Sequence, residues 1–266
     1  MTYRHRSFAY SSIAFTSAVK FGHNMAMVET LTFENFEVTV IRSSRRKTAV
    51  IKVDLEGVSV RVPADLPLAR IEKLVAEKTV WIERKLAEAE RKQRGIAEQA
   101  EQNSTLADGS RIMVQGQLLP LRLIESDHMR VVQTSDRLEV YADGDVLGDT
   151  EQVRALVEQW LYGRAVEELN FCVNVYKQRV GATPSRIQIK DYRARWGSCK
   201  PDGSIQLNWR LIHAPMHIMD YVVVHELCHL LEMNHSKRFW SEVERVEPQY
   251  KMKRQWLRDN GWQLSF

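Results

Sequence analysis

The chain has 266 residues, 44% of them hydrophobic and 27% charged, the balance of a folded globular protein long enough for one large domain or two small ones. Its 38 basic and 34 acidic residues leave a net charge of +4, too small by itself to argue for a nucleic-acid binder. No apolar run approaches the roughly 20 residues of a membrane-spanning helix, so neither an integral membrane protein nor a membrane partner is expected.

Residues 1–28 hold no acidic side chain, begin with Arg4-His5-Arg6 and are rich in serine, alanine and aromatics. They read as a disordered extension, with Met25 and Met27 as alternative starts. A β-rich region is expected over 29–148. It opens with three antiparallel strands (Phe36 to Ile41, Thr48 to Val53, Val58 to Val62), with a turn at Glu56-Gly57. Pro63 to Pro67 breaks that pattern, and apolar residues then recur at helical spacing from Leu68 to about Arg94. The polar stretch from Gly95 to Ser110 reads as a solvated linker. Strands are expected again between Ser110 and Tyr141, ended by Asp143-Gly144-Asp145.

The third region, 149–266, starts with a long helix from Thr150 to about Val180, stopped by Gly181. Ile187-Gln188-Ile189 and Ala194 to Ser198 read as strands, and Lys200-Pro201-Asp202-Gly203 as a hairpin turn into Ser204 to Trp209. Pro215 opens the next helix, Ser236 caps another with an apolar face of Phe239, Trp240 and Val243, and a last one runs from Pro248 to Asn260-Gly261. The expected class is α+β: a zincin-like core of helix, antiparallel sheet, histidine-bearing helix and C-terminal helices, preceded by a β-rich region with one long helix.

The chemistry is concentrated in His225-Glu226-Leu227-Cys228-His229, an HExxH motif behind the apolar run Tyr221 to Val224. Two histidines four apart on a helix project from one face, so both imidazoles can reach one zinc ion while Glu226 points at the open coordination position. There a water of lowered pKa is the nucleophile and Glu226 the general acid/base. For a third ligand there are two options. His235 would lie about 240° around an unbroken helix from His229, so the helix must end between them, and Asn234 offers a left-handed residue for the turn. A carboxylate of the following helix, Glu242, Glu244 or Glu247, is the other option. The histidine spacing equals the metzincin one, but Glu232 stands where that pattern has glycine.

Cys172, Cys199 and Cys228 are too few and scattered for a disulfide framework, which favours a reducing, cytoplasmic setting. Cys228 and Cys199 read as buried small side chains.

Residues 185–262 resemble the YgjP-like metallopeptidase domain, a relative of the SprT-like zinc proteins in the zincin class. The resemblance rests on Arg195-Trp196-Gly197-Ser198-Cys199, on Ile205 to Leu211, on Val222 to His229, and on Asn234-His235-Ser236 with Phe239-Trp240; a weaker match around Arg42 to Lys47 and Trp81-Ile82 extends it to about residue 38. It implies His225, His229 and His235 as zinc ligands and Glu226 as the catalytic acid/base.

The function expected is zinc-dependent hydrolysis of peptide bonds in a peptide or unfolded protein, with Tyr192, Arg195 or Arg210 as substrate or oxyanion contacts. The alternative is a phosphoanhydride hydrolase, such as a nucleoside triphosphate (UTP-type) pyrophosphatase. It draws on Lys190, Arg193, Arg195, Lys200 and Arg210, with Tyr192 and Trp196 to stack a base. A weaker expectation, nucleic-acid binding, draws on Arg42 to Lys47 and on Lys251, Lys253 and Arg254.

Overall fold

Val38, Val40, Val58, Val60 and Val62 alternate with more exposed residues, and in the computed structural model, which describes residues 15–21 and 24–264, they form the buried face of one sheet. The chain has two compact units, Met1–Gly95 and Ile96–Phe266. Strands β1 (Phe15–Phe21), β2 (Asn24–Thr32), β3 (Glu37–Ser43), β4 (Val50–Asp54) and β5 (Gly57–Pro63) make the first sheet in the order β1-β2-β3-β5-β4. Ile71 and Val75 of helix α1 (Leu68–Ala76) and Ile82 of α2 (Thr79–Ser104) complete that core.

Three expectations change here. Of residues 1–28, expected as an extension, 15–21 and 24–28 belong to β1 and β2; 1–14, 22 and 23 lie outside the described residues. The strands expected to be antiparallel form a mixed sheet: β4 and β5 are a hairpin turning at Gly57, φ 114°, but β5 lies between β4 and β3 and runs parallel to β3, setting Val38 against Val58 and Val40 against Val60. Alternation reveals which face is buried but not which strand is the neighbour. The linker expected from Gly95 is helical as far as Ser104, because the glycine costs only about 1 kcal/mol and its neighbours are strong helix formers.

The second unit holds β6 (Arg111–Val114), β7 (Gln117–Glu125), β8 (Arg130–Gln133) and β9 (Leu138–Ala142) in the order β6-β7-β9-β8, a short α3 (Gly144–Leu147), and α4 (Thr150–Val180). Helix α4 is capped by Asp149, which accepts from the N–H groups of Glu151 and Gln152, and ends at Gly181 with φ 81°. Next come β10 (Arg186–Lys190), β11 (Gly197–Cys199) and β12 (Ser204–Asn208), a 3-10 turn at Trp209–His213, then α5 (Met216–Cys228), α6 (Lys237–Val246) and α7 (Tyr250–Asn260). The small sheet, order β10-β12-β11, is also mixed rather than antiparallel: β10 and β12 are parallel, β11 and β12 antiparallel.

The strands of 111–142, expected to group with the amino-terminal half, share their core with the histidine helix. Ile112, Val114, Leu121 and Val140 belong to the same buried cluster as Val157 and Leu161 of α4 and Val223 and Leu227 of α5. The β6–β7 hairpin turns through Gln115 (φ 49°) and Gly116 (φ 80°), both left-handed as a type I′ turn requires. Its N–H groups donate to the carbonyls of Ile212 (2.7 Å) and His213 (3.0 Å), and a Cβ on Gly116 would stand 2.8 Å from Cγ of Pro215. The hairpin therefore braces the start of α5. Among the described residues no helix is long and apolar enough to cross a membrane.

Candidate metal centre

Helix α5 buries Ile218, Met219, Val222, Val223, Val224 and Leu227, so Glu226, set among them, is held in a low-dielectric core. It ends at Cys228 with His229 as its cap, and the carbonyl of Cys228 accepts from the N–H groups of Leu231 and Glu232. The chain then reverses at His235 through a three-residue turn in which Ser236 N–H donates to the Asn234 carbonyl at 2.7 Å. Asn234 is not left-handed, contrary to expectation; the tight turn does that work instead. Ser236 caps α6, its hydroxyl accepting from Phe239 N–H at 3.2 Å.

The reversal brings His235 back to His225 and His229. One nitrogen of each imidazole lies within 4.8 Å of the others, and Nε2 of His225 and Nε2 of His235 are 3.1 Å apart. A tetrahedral ion with metal–nitrogen bonds of about 2.0–2.1 Å separates two such nitrogens by about 3.3 Å, so the triad could hold a metal ion of that size. Nδ1 of His229 lies 3.1 Å from the Glu232 carbonyl, which can only accept; Nδ1 therefore carries the proton and Nε2 keeps its lone pair. Burial, with the two neighbouring imidazoles and Arg254, pushes His225 down to about 3, and burial also lowers His229; both shifts favour the neutral imidazole, the form that binds metal. The carboxylates considered for a third ligand are engaged elsewhere, Glu242 with Arg245, Glu244 with Lys251 and Glu247 with Lys253.

Phe239 packs on all three imidazoles, stacked on His229 at 4.3 Å between centroids and edge-on to His225 and His235 at 4.9 and 4.8 Å. Trp240 stacks on His235. The apolar face read from the sequence of α6 thus serves as the floor of the histidine cluster. Cys228 is fully buried and its thiol is pushed up to about 12 by burial, in keeping with a packing role.

Glu226 is 5% exposed, and its Oε2 has no hydrogen-bond partner. Burial pushes its carboxyl up to about 8 against the opposing charge of Arg195. Its carboxylate lies on Gly197 of β11, where a Cβ would come within 2.6 Å of Oε1 and 2.7 Å of Cγ. That glycine stands inside the Arg195 to Cys199 motif, where the sequence carries no signal of its role: a side chain there would occupy the space of the carboxylate.

Of the three candidate substrate contacts, Arg195 and Tyr192 lie together and Arg210 is engaged elsewhere. The Arg195 guanidinium lies 5.5 Å from the Tyr192 ring centroid, and its charge acts on Glu226. The Tyr192 hydroxyl donates to Gln206 Oε1 at 2.5 Å. Arg210 is paired with Asp191 and lies over Trp209, 4.9 Å from its centroid. Of the clusters considered for nucleic acid, Arg42 is bound to Glu29, Lys251 to Glu244 and Lys253 to Glu247.

Comparison with known proteins gives three findings. A sequence model described as YgjP-like, metallopeptidase domain, matches residues 47–260. No curated protein matches the chain. Among solved structures, the chain is similar to the crystal structure of the metallopeptidase zymogen of Pyrococcus abyssi abylysin, with 25% identity over 32% of this chain and 87% of that one and a TM-score of 0.30.

Proposed function

The chain belongs to the YgjP-like metallopeptidase domain family, and from that premise we propose that it is a zinc-dependent peptidase in which His225, His229 and His235 hold the ion and Glu226 is the general acid/base. The observation that carries this is the convergence of three imidazoles beside a buried carboxylate with an unpartnered oxygen. Zinc bound there supplies Lewis acidity toward a water and a scissile carbonyl.

The chain's own residues do the rest. Glu226 holds a proton more readily than an exposed glutamate does, so it can take one from the attacking water and return it to the leaving amine. Gly197 lets the carboxylate lie close against β11. Strand β11 is an edge of its sheet, so an extended peptide can pair with its outer backbone groups and bring its own carbonyl alongside Glu226. Arg195 is the cation assigned to the developing negative charge. Residues 149–266 are assigned as the zincin-like core, with the β6–β7 hairpin as its brace, and a cytoplasmic setting belongs to the same proposal. The phosphoanhydride alternative is weakened by the pairing of Arg210 with Asp191.

The test is zinc-loaded protein incubated with a peptide pool and nucleoside triphosphates, with products read by mass spectrometry against Glu226→Gln. Peptide fragments that fall by about 10²- to 10⁴-fold in the variant are expected, the usual share of a positioned acid/base. Monophosphate and pyrophosphate lost with Glu226→Gln, without peptide fragments, would replace the peptidase by the phosphoanhydride hydrolase.

A further inference from the structure

Beside the triad, a cavity of about 350 Å³ opens between α5, α7 and β11. Its inner end is formed by Glu226 and His225, and its walls include Trp196, Val222 and Leu257. Two cations of α7, Arg254 and Arg258, complete the lining. They are four residues apart and therefore one turn apart on the same face of the helix.

The contrast within α7 is informative. Its other two cations, Lys251 and Lys253, each have a carboxylate partner, on Glu244 and Glu247. Arg254 and Arg258 form no ion pair among the described residues. Arg254 is held from one side only, its guanidinium 4.7 Å from the Trp240 centroid, and Arg258 donates to the neutral Gln255. Trp240 also stacks on Tyr250 and on His235, so Arg254 is oriented by the same ring that steadies the third histidine. A guanidinium fixed by stacking keeps its planar fork of donors free for a carboxylate, at less entropic cost than a freely moving lysine. Both guanidinium groups are exposed at the mouth of the cavity, where an incoming carboxylate can reach them, with Trp196, Val222 and Leu257 as apolar lining beside them.

We propose that Arg254 and Arg258 form a carboxylate-binding subsite, so that the favoured substrates are peptides with an acidic group next to the bond that is cut. This rests on the peptidase assignment for its meaning in catalysis, but the subsite itself is defined by binding. The carboxylate comes either from an aspartate or glutamate side chain or from the peptide's own carboxy terminus.

The test uses zinc-loaded Glu226→Gln, in which turnover is suppressed, and measures the affinity of end-blocked peptides by calorimetry. A peptide with central glutamate is compared with its glutamine twin, and the glutamine twin with the same sequence ending in a free carboxylate. At least tenfold tighter binding of one carboxylate form is expected, and which form shows it identifies the source. Adding Arg254→Gln and Arg258→Gln should bring that ratio below twofold, and Arg254→Glu should turn the preference toward a central lysine. Equal affinities, or a preference that survives the double arginine variant, would overturn the subsite. So would a nucleoside triphosphate that binds through the two arginines while the peptides are not discriminated. Cleavage of the same peptides by the unmutated zinc protein is scored separately: no cleavage with the carboxylate preference intact counts against the peptidase and leaves the subsite standing.

Discussion

The amino-terminal unit and the histidine-bearing unit each draw a charged side chain out of bulk solvent, Arg42 partly and Glu226 almost fully, and they treat it in opposite ways. In the first, the Arg42 guanidinium gives hydrogen bonds to Glu29 at 2.9 Å and to the carbonyls of Ala64 and Leu66 at 3.2 and 2.6 Å. It ties β3 to β2 and to the segment that leads into α1. In the second, Glu226 keeps an oxygen without a partner and a carboxyl raised to about 8. A charge bonded on several sides is a staple, whereas a buried one left short of partners retains the capacity to move a proton.

Four substitutions or conditions can break or sharpen that contrast. The largest effect is expected for Phe239→Ala, which removes a fully buried ring from under three imidazoles; it should cost about 3–5 kcal/mol in urea unfolding and loosen zinc, read by competition with a chromogenic chelator. If zinc affinity holds while stability drops, the ring is packing alone and does not organise the triad.

Acid should act next. His213 is 1% exposed, its Nδ1 lies 2.6 Å from the Met113 carbonyl, and burial pushes it down to about 4. The unfolded chain takes up this proton near pH 6.5 and the folded one only near pH 4, so stability is fully present above about pH 6.5 and falls as pH drops toward 4. The loss is on the order of 3 kcal/mol. Unfolding curves across that range should show the loss in the unmutated protein, and His213→Gln should remove its own share while leaving the part that His225 and His229, also held below the usual imidazole range, contribute.

Gly197→Ala comes third. A methyl group 2.6 Å from Glu226 Oε1 must displace the carboxylate, and turnover should fall by roughly a hundredfold with zinc affinity unchanged, since small misplacements of a catalytic group have effects of that size. Unchanged turnover would mean that Glu226 works from another position. The smallest effect is expected for Arg42→Met, about 2 kcal/mol in unfolding of the amino-terminal unit, with zinc binding and turnover untouched. A change in catalysis there would end the division of roles between the units.

Much of the local structure was legible because it is written in short periods. Helix α4 was visible from Val153, Val157, Leu161 and Leu169 and from its glycine stop, and the Lys200 to Gly203 turn from its composition; Gly203 has φ 79° and its N–H donates to Lys200. The parallel pairings β3–β5, β7–β9 and β10–β12 were not legible, since each depends on a strand passing over an intervening element, and no alternation pattern records that. For the same reason the attachment of the β6–β7 hairpin to Ile212, His213 and Pro215 is not legible: it joins residues about a hundred positions apart.

The candidate site divides along the same line. His225, Glu226 and His229 are placed relative to one another by helical geometry alone, so their spacing in the sequence already determined that two imidazoles share a face with a carboxylate beside them. What surrounds that face comes from distant segments. His235 arrives through a turn, Phe239 and Trp240 from α6, Gly197 from an edge strand, and Arg254 with Arg258 from the last long helix. Burial of Glu226 is likewise a property of the assembled core, and the upward push on its carboxyl exists only once α5 is enclosed. A motif of five residues can specify directions along one helix, but desolvation and close approach require the other segments to be in place.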